Sequence, residues 1–127
     1  MKLSLLGRLL AGSLAVFAMS GALAQSKPAQ LKIGVTTFLS GPASVFGVPA
    51  KAAAELYIEQ LNAAGGINGV KIVPAFIDEG VGADKLLSEY RRVVQESGTR
   101  VMIASISSGN CNTLAPVAED LKVLNIM

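Results

Sequence analysis

The chain contains no histidine, and its one cysteine is Cys111. Without histidine there is no Ser-His-Asp or Cys-His relay for nucleophilic catalysis and no imidazole for a metal. One thiol cannot close an internal disulfide or pair with a second to hold zinc. No metal and no cofactor is expected, and an enzyme is short of its usual parts. Lysine and arginine are missing from two small-residue loops, 39–47 and 107–112. A triphosphate cradle recruits Lys and a metal, so neither loop reads as one, and no P-loop pattern exists elsewhere.

Long apolar runs are also scarce beyond the first two dozen residues. "MKLSLLGRLLAGSLAVFAMSGALA" carries Lys2 and Arg8, then an apolar run, then small residues. Ala22-Leu23-Ala24 fits the small-x-small cleavage pattern, so residues 1–24 are expected to be a secretory signal peptide cut before Gln25. A retained membrane anchor is the alternative, weakened as a span by Gly12, Ser13, Ser20 and Gly21. The whole chain has 11 Lys+Arg against 9 Asp+Glu, and Lys2 and Arg8 account for the excess. Residues 25–127 are therefore formally neutral, and nothing in their charge calls for a nucleic acid partner.

After that segment the chain alternates between two periodicities. "LKIGVTTF" reads as a strand, and "LSGPASVFG" as a loop. Residues 48–64 read as a helix, with Ala50, Ala54, Ile58 and Leu61 forming its apolar stripe. Lys51, Glu55, Glu59 and Asn62 form its polar one. Pro49 is compatible only with the first turn, and Gly65-Gly66 supplies the stop. An Asn68-Gly69 turn precedes a second strand, about 70–77. Leu86, Leu87, Tyr90, Val93 and Val94 then mark the clearest helix, closed by Gly98. "RVMIASI" reads as a strand covered on both faces. A third helix is expected from about Asn112 to Lys122, with Leu114, Val117, Ala118 and Leu121 inward. "VLNIM" opens a fourth strand. This order implies an α/β fold with a doubly wound parallel sheet and right-handed crossovers. The chain stops on an apolar run, so it is expected to be part of a longer protein cut in or near that strand.

Open sheets of this kind bind ligands beyond the carboxyl ends of the strands, where strand order reverses. An order beginning 2-1-3 sets residues 39–47 and 107–112 facing each other. The second loop, "SSGNCN", leads into the third helix. Unpaired N–H groups and the positive dipole end favour an anion there. Ser107, Ser108, Gly109, Asn110 and Asn112 form a neutral nest suited to a carboxylate; the alternative is that Asn110 or Asn112 merely caps the helix. Phe46 either packs on a ligand or plugs the core. Cys111 reads as a buried or half-buried structural thiol rather than a reactive one. "GVGADK" lacks the third glycine of a dinucleotide fingerprint, because Lys85 stands there. Adjacent Asp78 and Glu79 read as solvated strand ends.

"LKIGVTTFLSGPASVFG", "KAAAELYIEQLNAAGGINGVKI", "FIDEG" and the later Ser-Ser together resemble the type I periplasmic solute-binding proteins of ABC importers. The nearest branch binds branched-chain amino acids, amides or aromatic acids. The resemblance covers the first lobe only, so residues 25–127 are expected to be part of a type I N-terminal lobe. It implies ligand capture between two lobes that close on a hinge. Small polar residues matching Ser107, Ser108, Gly109 and Asn110 would hold a carboxylate. Phe46 would line the cleft, and Cys111 takes the place of a usual Thr. The family's amino acid binders often carry a disulfide with one Cys at the position of Ser107. Its absence points toward a different small carboxylate, such as an aromatic acid, beside the branched-chain amino acid-like one. The implied partners are a small-molecule solute and an ABC importer permease, the full-length protein being monomeric and periplasmic. A ligand-sensing receptor domain and a non-functional fragment are the alternatives.

Overall fold

The computed structural model describes residues 27–104 and 106–127. The expected signal peptide and its cleavage site lie outside the described residues. The elements are β1 (Gln30–Thr37), α1 (Ser44–Ala63), β2 (Lys71–Asp78), a 3₁₀ turn (Glu79–Val81), α2 (Ala83–Ser97), β3 (Val101–Ile103), α3 (Ser108–Asp120) and β4 (Leu124–Ile126). All strand pairs are parallel, in the order β2-β1-β3-β4. Strand order therefore reverses at β1, which meets the condition set above for a switch point between β1 and β3.

Side chains alternate across β1, so its two faces meet different helices. Lys51 of α1 lies over Phe76, the register partner of Val35. A Cβ on Gly34 would stand 3.5 Å from Val93 of α2, which places α2 on the opposite face. α3 joins α2 there, and the main core gathers between them and the sheet. Leu86, Tyr90, Val93 and Val94 come from α2, Leu114, Val117 and Ala118 from α3, and Ile77 and Met102 from the sheet. The expected inward residues of these two helices thus hold, with Leu87 and Leu121 half-buried at the margin.

The other face differs from expectation. α1 covers β1 and β2. Its one fully buried large side chain is Ile58, while Tyr57 is 66% exposed. β3 is consequently covered on one face: Met102 is buried, whereas Ile103, pointing to the α1 side, is 39% exposed.

Two helices start earlier than their patterns suggested. α1 opens at Ser44 rather than Val48, its first turn built on the Ala43 carbonyl, which accepts from the Phe46 and Gly47 N–H groups. Pro49 thus sits in the second turn and removes the bond to the Val45 carbonyl. Gly47 belongs to this helix, where close approach requires glycine: a Cβ there would stand 1.9 Å from the Phe38 carbonyl oxygen. α3 opens at Ser108 rather than Asn112, because Ser107 is its cap.

α1 is tied to the sheet edge by Asn62, expected among its solvent-facing residues. The Asn62 amide donates to the Ile72 carbonyl and accepts from the Ile72 N–H, both at 2.8 Å. Like a neighbouring strand, it satisfies the exposed edge of β2. The Asn68-Gly69 turn forms as expected, with positive φ at both residues and reciprocal bonds between Ile67 and Val70.

Tyr90 generates a prediction. It is fully buried and its hydroxyl has no hydrogen-bond partner, and burial pushes that hydroxyl up to about 12. The folded value lies above the unfolded value of about 10, so this contribution to stability is intact below pH ~10 and declines as pH rises through about 12. Tyr90→Phe removes an unsatisfied polar atom at nearly constant shape. Chemical denaturation at pH 7 should change by less than about 1 kcal/mol, without loss of stability. The variant should also lose less stability than the parent between pH 10 and 12.

Candidate functional site

The carboxyl ends of β1 and β3 open into a crevice of about 200 Å³. Thr36 and Thr37 of β1, Phe76 of β2, Lys51 of α1, and Ala104 and Ile106 after β3 line it. This is the point of strand-order reversal, where doubly wound sheets place their ligands. Its half-open form falls below the ~300–1,000 Å³ common for closed ligand sites.

Lys51 is the feature the sequence pattern hid. It was grouped with the solvent-facing stripe of α1. Yet it follows buried Gly47 by one turn, on the stripe continued by Ala54 and Ile58, so it leans toward the sheet. Its ammonium lies 5.0 Å from the Phe76 ring centroid and pairs with Glu55, one turn along. The two side chains are 32% and 48% exposed, so this pair is wet and contributes little to stability. The crevice thus carries a cation although its flanking loops carry none.

Just beyond Ile106 begins α3. Ser107 caps it in extended conformation, its hydroxyl oxygen accepting from the Asn110 N–H at 3.3 Å. The capping role considered for Asn110 or Asn112 therefore belongs to Ser107. Ser108, Gly109, Asn110 and Cys111 form the first helical turn. Helix geometry leaves the Ser108 and Gly109 N–H groups without intrahelical acceptors, at the positive dipole end. The Asn110 amide is engaged: its Nδ2 donates to Glu79 Oε2 at 3.1 Å. Cys111 is half-buried.

Phe46 is 67% exposed in the first turn of α1. It does not plug the core, and it does not line the crevice. The first loop also faces a different neighbour from the one expected. Phe38, Ser40, Gly41, Pro42 and Ala43 border a hollow of about 390 Å³ with Glu79, Gly80 and Gly82. The connection to α3 runs through Glu79.

Asp78 and Glu79 organise this end of the sheet and are not solvated strand ends. Asp78 Oδ1 accepts from the N–H groups of Leu39 at 2.8 Å, Ser40 at 3.2 Å and Gly80 at 2.8 Å. Gly80 must be glycine, since a Cβ would stand 2.5 Å from the Ser40 carbonyl oxygen. Glu79 is 4% exposed and receives Asn110. The link from first loop to third helix therefore runs Ser40, Asp78, Glu79, Asn110. The bond from Gly80 N–H to Asp78 is an Asx turn. Asp followed by Glu-Gly at a strand end was its sequence signal.

Comparison with known proteins follows from this geometry. A family model for periplasmic binding proteins matches residues 30–127. The chain belongs to the periplasmic binding protein family. Among curated relatives, the Leu/Ile/Val-binding protein homolog 3 of Brucella melitensis is 30% identical over 110 residues, covering 87% of this chain and 30% of that protein. The branched-chain amino acid transporter substrate binding protein LivJ of Streptococcus pneumoniae, solved with isoleucine, superposes with a TM-score of 0.69 at 25% identity. That match covers 76% of this chain and 28% of that one. A type 1 periplasmic binding protein from Bordetella pertussis gives a TM-score of 0.66 at 31% identity, covering 76% and 26%. The fold is thus that of a type I periplasmic binding protein lobe. This chain spans 23–30% of the length of the curated relatives it matches.

Asp78 carries a prediction. Partial burial pushes its carboxyl up, but the Ser40 hydroxyl and the Gly80, Leu39 and Ser40 N–H groups outweigh this and hold it below the usual carboxylate range. A depressed folded value means the contribution is complete above the unfolded value of about 3.9 and is lost as pH falls through the folded one. Asp78→Ala should cost about 1–2 kcal/mol in denaturant melts at pH 7. The penalty should shrink as the melts are repeated below about pH 4.

Proposed function

We propose that this chain is the ligand-capturing N-terminal lobe of an extracytoplasmic solute-binding protein that delivers a small carboxylate-bearing solute to an ABC importer. Residues 1–24 are its signal peptide and residues 25–127 part of the lobe. The observation that carries the reading is the meeting of the switch-point crevice with the amino end of α3. Ser108 and Gly109 offer N–H groups toward an acid group, and the apolar walls of Val35, Phe76 and Ile106 accept a hydrocarbon body. Family membership and the printed names of the relatives support solute binding. Phe46 is exposed to meet a ligand or an opposing lobe, and Cys111 stands on the first turn of α3 with Ser108 and Gly109. Branched-chain amino acids and aromatic acids both fit this description. No bond is made or broken in the proposed act. The solute is enclosed when a second lobe closes and is released to a membrane permease.

A two-lobed cleft commonly reaches micromolar affinity, about 8 kcal/mol, and one lobe supplies part of the contacts. Titration of the ¹⁵N-labelled chain with leucine, isoleucine and benzoate should show binding near the millimolar range, roughly 4 kcal/mol. The largest shifts should fall on the Ser108 and Gly109 amides. Unchanged amides across 107–111 at saturating solute would remove the reading. Separately, amino-terminal sequencing of the exported protein should begin at Gln25; a start at Met1 would refute the signal peptide.

A further inference from the structure

We propose that Lys51 is a specificity-determining contact, and that this site prefers a small apolar carboxylate lacking an α-ammonium group. The inference rests on the crevice being the solute site. Among the described residues that line it, Lys51 is the one charged side chain. The remaining walls are apolar apart from Thr36 and Thr37. The Lys51 ammonium lies over the Phe76 ring, 5.0 Å from its centroid, which holds it at the crevice wall instead of letting it range through solvent. Glu55 does not exhaust it. An ammonium has three donors, and a half-exposed partner one turn away occupies one side of it.

A positive charge over hydrocarbon walls sorts solutes by charge. A carboxylate on an apolar body gains the ammonium and the dipole end of α3 together. An amino acid brings the same carboxylate with an ammonium group beside it, which Lys51 repels. The repulsion is strongest where the wall excludes water. Discrimination here comes from what the cation rejects as much as from what it holds.

Leucine and isocaproate form a matched pair, sharing the carboxylate and the branched body and differing in the ammonium group. NMR titration of the purified chain at low salt should show isocaproate binding roughly fivefold or more tightly than leucine. Lys51→Met, a surface change of similar length, should bring the ratio close to one, and Lys51→Arg should preserve it. Glu55→Gln should tighten isocaproate by removing the competing carboxylate. If both solutes bind and Lys51→Met leaves their ratio unchanged, or if leucine binds the parent more tightly, the role of Lys51 is refuted while the solute site stands. If neither solute shifts any crevice amide, both readings fall.

Discussion

Parallel pairing on both sides of β1 decides where everything else in this molecule goes. Eight residues of β1 run in register with β2, and Ile33, Gly34 and Val35 pair with β3 on the other side. Right-handed crossovers then leave the first helix on one face and the next two on the other. The helices after β1 and β3 depart in opposite directions from neighbouring strand ends, so the space between those ends stays unfilled. The crevice is a consequence of chain path before any side chain contributes to it.

The two faces of the sheet are unequal. α2 and α3 enclose a continuous core around Tyr90, Leu86, Met102 and Leu114. On the opposite face α1 is the one helix among the described residues, and an apolar groove runs beside it past Ile33, Val35, Tyr57, Leu61 and Ile103. The crevice lies on the less covered side. Its lining therefore depends on one helix being set close to the strand ends, which Gly47 permits by lying against the Phe38 carbonyl.

Negative charge is managed at the carboxyl end of the sheet chiefly by donors from N–H groups. Asp78 is held by three backbone amides, Glu79 by the Asn110 side chain, and the first turn of α3 leaves further amides facing outward. Of these two carboxylates, Asp78 is held below the usual carboxylate range by the Ser40 hydroxyl and backbone N–H groups. Both also use up groups that seemed available for a ligand, Asn110 above all. The first-turn amides of Ser108 and Gly109 have no intrahelical acceptor, and Lys51 lines the neighbouring crevice.

The 2-1-3 strand order entered only as a supposition, while periodicity made the alternation of strands and helices and the inward faces of α2 and α3 readable directly from the residues. Those features depend on contacts between neighbours in sequence and on a chirality common to all such chains. The amino ends of α1 and α3 were misplaced by four residues each. Gly47 reads as a loop residue until the Phe38 backbone is set beside it, and Ser107 becomes the cap only when its hydroxyl meets the Asn110 N–H. Lys51 and Glu79 were assigned to solvent for the same reason. A one-dimensional pattern counts charge as exterior, whereas the fold brings Phe76 under one and Asn110 against the other across 25 and 31 positions of chain. The sequence alone therefore determined the architecture, and with it the end of the sheet where strand order reverses. Tertiary structure decided which donors are spent holding the carboxyl end of the sheet together, because long-range pairing of polar groups leaves no periodic trace.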